Sequence, residues 1–258
     1  MTRDSGHQGG ESVLARDYAQ AVRDVTEHIE QTQMEAIGEA AEAIAGALSG
    51  GGAFWVHRIG HGGESELTHR AGGLLATKVF SFNFGVSSPV AECNRGRPRP
   101  EPVEPDLERV RLAVRASEMR PGDVLMVASV SGRTRQTVEL ARAASGMGLI
   151  VIGLTSLEYT SQVEADHPSG DKLCDAADIV IDCCAPFGDA VLEADAYEHN
   201  VLPISGVAMT TIGWMICGDV IDRMSEMGTP AHVYMSANRP GGREYNRRAE
   251  EEYNKLGY

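Results

Sequence analysis

The chain has 258 residues, 42% of them hydrophobic and 23% charged, and a formal net charge of −14 at pH 7. That length suits a single α/β domain with a sizeable core. The acidic balance argues against nucleic acid as a partner, since a phosphate backbone is repelled, and no run of about 18 apolar residues exists to span a membrane. The first residues lack the apolar segment of a secretory signal. Cys93, Cys174, Cys183, Cys184 and Cys217 show neither metal nor disulfide spacing. A reduced, soluble, cytoplasmic protein is expected.

Taken in chain order, residues 1–11 read as a disordered tail and 12–258 as one domain with an N-terminal helical extension. From 12 to 48 apolar residues recur at helical spacing, which predicts one long helix or two, ended by Gly50-Gly51-Gly52. A strand follows at 53–59, then the turn Gly60-His61-Gly62-Gly63-Glu64-Ser65, a helix at 66–75 and a strand at 78–84. The proline-rich stretch 87–105 reads as a loop, and 106–117 as a helix. Strands are expected at 123–128, 149–154 and 178–183, with a helix at 135–147. Residues 203–223 form a nearly all-apolar helix suited to a core or a dimer contact. Repeated alternation of short apolar strands and helices predicts a parallel sheet wrapped on both faces. Ligands of such sheets lie beyond the carboxyl ends of the strands.

The most informative segment is Ser129-Val130-Ser131-Gly132-Arg133-Thr134, placed between a buried strand and a helix start. Free N–H groups of the first helical turn, the positive dipole end and the hydroxyls of Ser129, Ser131 and Thr134 converge there as an anion cradle. Gly132 permits close backbone approach, and Arg133 adds a charge-assisted fork. The plainer alternative is a serine that merely caps the helix.

This segment resembles the Ser-x-Ser-Gly-x-Thr signature of the sugar isomerase (SIS) domain family, whose members bind phosphosugars. Gly153-Leu154-Thr155-Ser156, His167-Pro168-Ser169-Gly170 and Met235-Ser236-Ala237-Asn238 are similar to a stand-alone branch of that family. The resemblance runs from about residue 18 to residue 253. It implies a flavodoxin-like three-layer α/β/α sandwich with a five-stranded parallel sheet, helical extensions at both ends, and a homodimer or higher assembly.

Several further residues are candidates for the site. His61, Gly62 and Glu64 occupy the first glycine-rich turn, where the family usually offers a serine. Glu64 is equally suited to complementing a helix dipole. His57 and His61 lack the helical scaffold that gathers zinc ligands, so no metal is expected. After the last strand come Glu193, Glu198 and His199, of which either glutamate is placed to act as base and the imidazole to open a sugar ring. Thr155, Ser156 and His167 extend a polar lining, and Asn238 and Arg239 lie in a loop able to close over it.

The expected function is an aldose–ketose isomerase acting on an anionic sugar, most simply a sugar phosphate. A carboxylate moves a proton between adjacent carbons through a cis-enediol, chemistry that requires no cofactor. Isomerisation of a sulfonated sugar, ether cleavage beside a sugar carbonyl, and non-catalytic sensing of a sugar phosphate stay open as alternatives.

Overall fold

The computed structural model describes residues 13–57, 66–98 and 104–258. The tail at 1–11 and the turn carrying His61, Gly62 and Glu64 lie outside the described residues. Five strands, β1 (Phe54–His57), β2 (Thr77–Val79), β3 (Val124–Ala128), β4 (Ile150–Thr155) and β5 (Ile179–Asp182), form one all-parallel sheet in the order β2-β1-β3-β4-β5. That order is the flavodoxin-like one. All five residues of central β3 are buried, as a strand covered on both faces requires.

The helices are α1 (Val13–Thr32), α2 (Met34–Ser49), α3 (Pro105–Arg115), α4 (Arg135–Gly146), α5 (Leu157–Ser161), α6 (Leu173–Ala176), α7 (Ser205–Glu226) and α8 (Gly242–Leu256). Alternate strand residues feed two cores. Phe54, Val56, Val124, Met126 and Leu154 pack with α2 and α7, whereas Leu125, Val127 and Val151 pack with α3 and α4. The apolar 203–223 segment is therefore largely satisfied inside the chain, with Ala208, Met209, Ile212, Ile216 and Val220 buried. No described helix is long and apolar enough to cross a membrane. All five cysteines are free, and burial pushes the Cys183 and Cys217 thiols up to about 12, so these two serve packing.

Three local expectations are corrected. The helix expected at 66–75 is a run of bends and turns. Its backbone pairs instead with the 232–234 segment: Gly72 N–H donates to Tyr234 O (2.7 Å), Leu75 N–H to His232 O (2.9 Å), and Tyr234 N–H to Gly73 O (2.9 Å). The left-handed His69 (φ 54°) breaks any helical run, while Leu67, Leu74 and Leu75 still reach the core. The strand expected at 78–84 stops at Val79, apart from one further bond, Phe80 N–H to Val56 O (2.9 Å). The loop after β5 holds an antiparallel hairpin, β6 (Ala190–Leu192) with β7 (Val201–Pro203).

Behind the sheet, α3 is fastened to α4 by a polar staple. Arg111 Nε donates to Glu139 Oε1 (2.6 Å) and His167 Nε2 lies 2.8 Å from Glu139 Oε2. Burial acts to raise the Glu139 carboxyl, but hydrogen bonds from Arg111 and His167 outweigh it and hold the group below the usual carboxylate range.

Sheet and helix layers meet with no slack at Gly153 in β4, where a Cβ would fall 2.8 Å from Ala177 Cβ. Alanine there gains about 0.5–1 kcal/mol of backbone entropy. Overpacking costs about 1–3 kcal/mol, and Ala177 Cβ has no torsion by which to swing aside. Gly153→Ala is thus expected to destabilise by about 1–2 kcal/mol, read as a fall in Tm of roughly 2–8 °C. An unchanged or raised Tm would refute this account of the β4 packing.

Candidate functional site

At the carboxyl end of β3 the chain turns through Ser129 to Thr134 into α4. Ser129 N–H still pairs with Leu154 O (3.0 Å), and Gly132 N–H folds back onto Ser129 O (3.2 Å). Gly132 takes φ +60°, and a Cβ there would stand 3.0 Å from Thr155 Oγ1 and 3.3 Å from Leu173 Cβ, so glycine is required twice over.

Four successive carbonyls are then spent on the β4–α6 side. Val130 O accepts from Ser156 N–H (2.9 Å), Ser131 O from Thr160 Oγ1 (3.1 Å), Gly132 O from Leu173 N–H (2.8 Å) and Arg133 O from Asp166 N–H (3.1 Å). In a trans peptide the N–H points opposite to the C=O. The N–H groups of Ser131, Arg133 and Thr134 consequently face away from that layer, next to those of Arg135, Gln136 and Thr137 in the first turn of α4. None of the six has an acceptor among the described residues.

The capping alternative is not realised here. Thr134 is the N-cap residue but makes no side-chain cap, its hydroxyl donating to Thr137 Oγ1 (2.8 Å). Two other helix starts are closed. Ser156 accepts Tyr159 N–H (2.9 Å) at α5, and Asp189 accepts the N–H groups of Ile204 (3.2 Å) and Ser205 (2.8 Å) at α7. The open end of α4 carries the equivalent of about half a positive charge, and none of its N–H groups has an acceptor among the described residues.

Beside this end lies a cavity of ≈ 670 Å³, bordered by His57, Ser81, Phe82, Thr134, Arg135 and Asp166. His57 ends β1, with Nδ1 2.8 Å from Phe80 O and its ring stacked on Phe82 at 6.3 Å. Arg135 Nε donates to Asp106 (2.6 Å) and Nη2 to Glu104 (2.8 Å), and its hydrogen bond holds the Asp106 carboxyl below its usual range. The fork of Arg133, which the sequence assigned to a ligand anion, is taken by Asp166: Nε donates at 3.0 Å and Nη2 closes the pair. That hydrogen bond lowers the Asp166 carboxyl below its usual range. What this end of α4 offers an anion is therefore backbone amides more than guanidinium charge.

The remaining candidates are scattered. Ser156 is buried, its hydroxyl donating to Ala185 O (2.6 Å). His167 is buried against Glu139, with Nδ1 2.7 Å from Ser169 Oγ, and borders a different cavity. Glu193, Glu198 and His199 come together at the exposed end of the β6–β7 hairpin, around a depression of ≈ 270 Å³ that no residue of the 129–134 turn lines. Asn238 and Arg239 are exposed in the turn before α8, where Arg239 N–H donates to Ser236 O (3.0 Å). Among the described residues no three His, Cys, Asp or Glu side chains gather as a metal site. Sequence reasoning missed Arg135, Asp106, Asp166 and Ser81 as cavity residues. Arg135 follows the motif directly and was readable; the others arrive from distant segments and give no local signal.

The family model for the SIS domain matches residues 17–156. A UPF0309 protein of Caldanaerobacter subterraneus (TTE0306) is 34% identical over 243 residues, covering 92% of this chain and 96% of its own length. A UPF0309 protein of Streptomyces avermitilis is 31% identical over 249 residues, covering 94% and 96%. Among solved structures, the phosphoheptose isomerase of Neisseria gonorrhoeae is 18% identical with a TM-score of 0.49, over 80% of this chain and 97% of that one. The sugar isomerase domain of an RpiR transcription factor from Sphaerobacter thermophilus is 18% identical with a TM-score of 0.46, over 95% and 99%. With the cradle motif, the five-stranded parallel sheet and the match over more than half its length, the chain belongs to the SIS domain family, alongside the UPF0309 proteins.

Proposed function

We propose that the chain is an aldose–ketose isomerase of the cytoplasm whose substrate is a sugar with a terminal phosphate, seated at the open N-terminus of α4. The observation that carries this reading is that the N–H groups of residues 131 and 133–137 have no acceptor among the described residues, beside a cavity that Thr134, Arg135 and Thr137 line. Such a nest suits a tetrahedral oxyanion with several acceptors. In the reaction a carboxylate removes the proton beside the carbonyl, and the resulting cis-enediol(ate) takes it back on the neighbouring carbon. Ring opening needs a separate acid. Glu193 or Glu198, with His199, fill these roles in our reading, and Glu64 is the competitor.

A second reading draws support from where those groups sit. Glu193, Glu198 and His199 border their own depression and share no lining residue with the cradle cavity. A single chain that binds a sugar phosphate without turning it over would have this arrangement; so would an enzyme completed by a second copy. We favour the second copy and a homodimer as the working unit. Light scattering at micromolar concentration should give at least twice the mass of one chain, and a monomer overturns the shared site.

The cradle is checked by Ser131→Ala with Thr134→Ala. Loss of hydrogen bonds to a charged ligand should weaken binding of a sugar phosphate by about 2–4 kcal/mol. The fold should persist, since neither hydroxyl caps the helix. Unchanged affinity in the folded double variant removes this turn from the site.

Proton transfer is checked in deuterated water. The wild type should incorporate deuterium at the carbon beside the carbonyl, while replacing the true base by Gln should lower turnover about 10²–10⁴-fold and leave affinity nearly unchanged. Full exchange in Glu193→Gln and Glu198→Gln with none in Glu64→Gln would move the base to the first turn. Binding without any exchange in the wild type would establish the sensing reading instead.

A further inference from the structure

A second cavity, of ≈ 720 Å³, opens between α3 and the carboxyl-terminal half of α4. It shares no lining residue with the cavity beside the cradle. Its charged lining is Arg111, Arg115, Arg142 and Glu139, three guanidiniums against one carboxylate, in a chain whose formal charge is −14. Its floor is apolar, with Val114 at 1% exposure and half-buried Ala143 and Met147.

The three arginines are not equivalent. Arg111 is spent on structure: Nε and Nη2 donate to Glu139 (2.6 and 3.3 Å), and Nη1 to Glu108 (2.9 Å). Arg142 commits Nη1 to Asp171, and its other donors have no acceptor among the described residues. Arg115 makes no ion pair or side-chain hydrogen bond among the described residues. It ends α3, where the negative dipole end favours a cation, but about half a charge does not neutralise a guanidinium. The groove thus joins an apolar floor to two guanidiniums with unused donors, a lining suited to one kind of guest. A flat apolar body can lie against half-buried Ala143 and the polarisable sulfur of Met147. An anionic group at its edge takes a fork from Arg115 or Arg142.

The wall behind these arginines is fixed. His167 and Glu139 are 6% and 5% exposed and bonded to each other at 2.8 Å. Ser169 Oγ continues the chain from His167 to Asp171 (2.8 Å), which in turn holds Arg142. Arg142 is therefore presented to the groove by a connected polar network, which reduces the ordering cost of binding.

We propose that the α3–α4 groove is a second ligand site, separate from the cradle, for a small organic anion with an aromatic body, of the aryl phosphate or aryl carboxylate class.

The probe is phenyl phosphate, titrated calorimetrically into the full chain, with inorganic phosphate in parallel. Phenyl phosphate should bind to Ser131→Ala/Thr134→Ala as to the wild type, and at least about tenfold more weakly to Arg115→Gln/Arg142→Gln, the loss of one charge-assisted contact. Arg115→Gln alone removes a side chain that has no polar partner among the described residues, so it keeps the fold and should show a weakening in the same direction. Inorganic phosphate should not reproduce the phenyl phosphate affinity in the cradle variant, because it lacks the body that the floor takes. Three results overturn the proposal: affinity unchanged in both arginine variants, binding abolished by the cradle variant instead, or no phenyl phosphate binding at millimolar concentration. Because the cradle variant is measured alongside, failure of this site and failure of the sugar-phosphate reading give different patterns.

Discussion

A buried strand has to dispose of its last peptide groups, and at the end of β3 the disposal is lopsided. The carbonyls of residues 130–133 go to Ser156 N–H, Thr160 Oγ1, Leu173 N–H and Asp166 N–H, all on one side. The N–H groups of Ser131, Arg133 and Thr134 are left facing the other way with no acceptor among the described residues, while that of Gly132 turns back to Ser129 O. A buried amide without a partner costs about 1–3 kcal/mol, so such a turn persists where solvent or a ligand reaches it. The cavity at the start of α4 provides that access. Gly132 makes the turn possible, since a side chain would strike Thr155 and Leu173, the latter being the residue whose N–H donates to the Gly132 carbonyl.

Most of the architecture was readable because the central strands are short, apolar and separated by helical spacing. β3, β4, β5, α3, α4 and α7 fall within a few residues of where the pattern puts them. What escaped depends on partners far away in the chain. Leu67, Leu74 and Leu75 have helical spacing and are buried as a helix face would be, yet the backbone between them bonds to the 232–234 segment. The β6–β7 hairpin carries no short turn signature between its strands. Its neighbour Asp189, one acid in a loop full of them, is spent on the N–H groups that open α7.

The candidate site divides in the same way. The 129–134 turn was legible since strand, glycine and helix start are contiguous. The destinations of Arg133 and His167 were not, because each depends on a carboxylate from elsewhere: Asp166 lies 33 residues from Arg133, and Glu139 28 from His167. In an acidic chain an arginine is more often claimed by a nearby carboxylate than kept for a ligand.

The donors of the cradle are amides and hydroxyls, which hold no proton that acid or base removes in the physiological range, and Arg133 and Arg135 stay charged throughout. In the proposed site the share of an anion's grip that comes from these donors is therefore constant across that range, and the guest is a variable. A phosphate monoester passes from one negative charge to nearly two around pH 6, whereas a sulfonate carries a single charge at every pH of interest. A pH titration of binding to the proposed cradle would consequently tell the two guests apart, without a side chain devoted to the distinction.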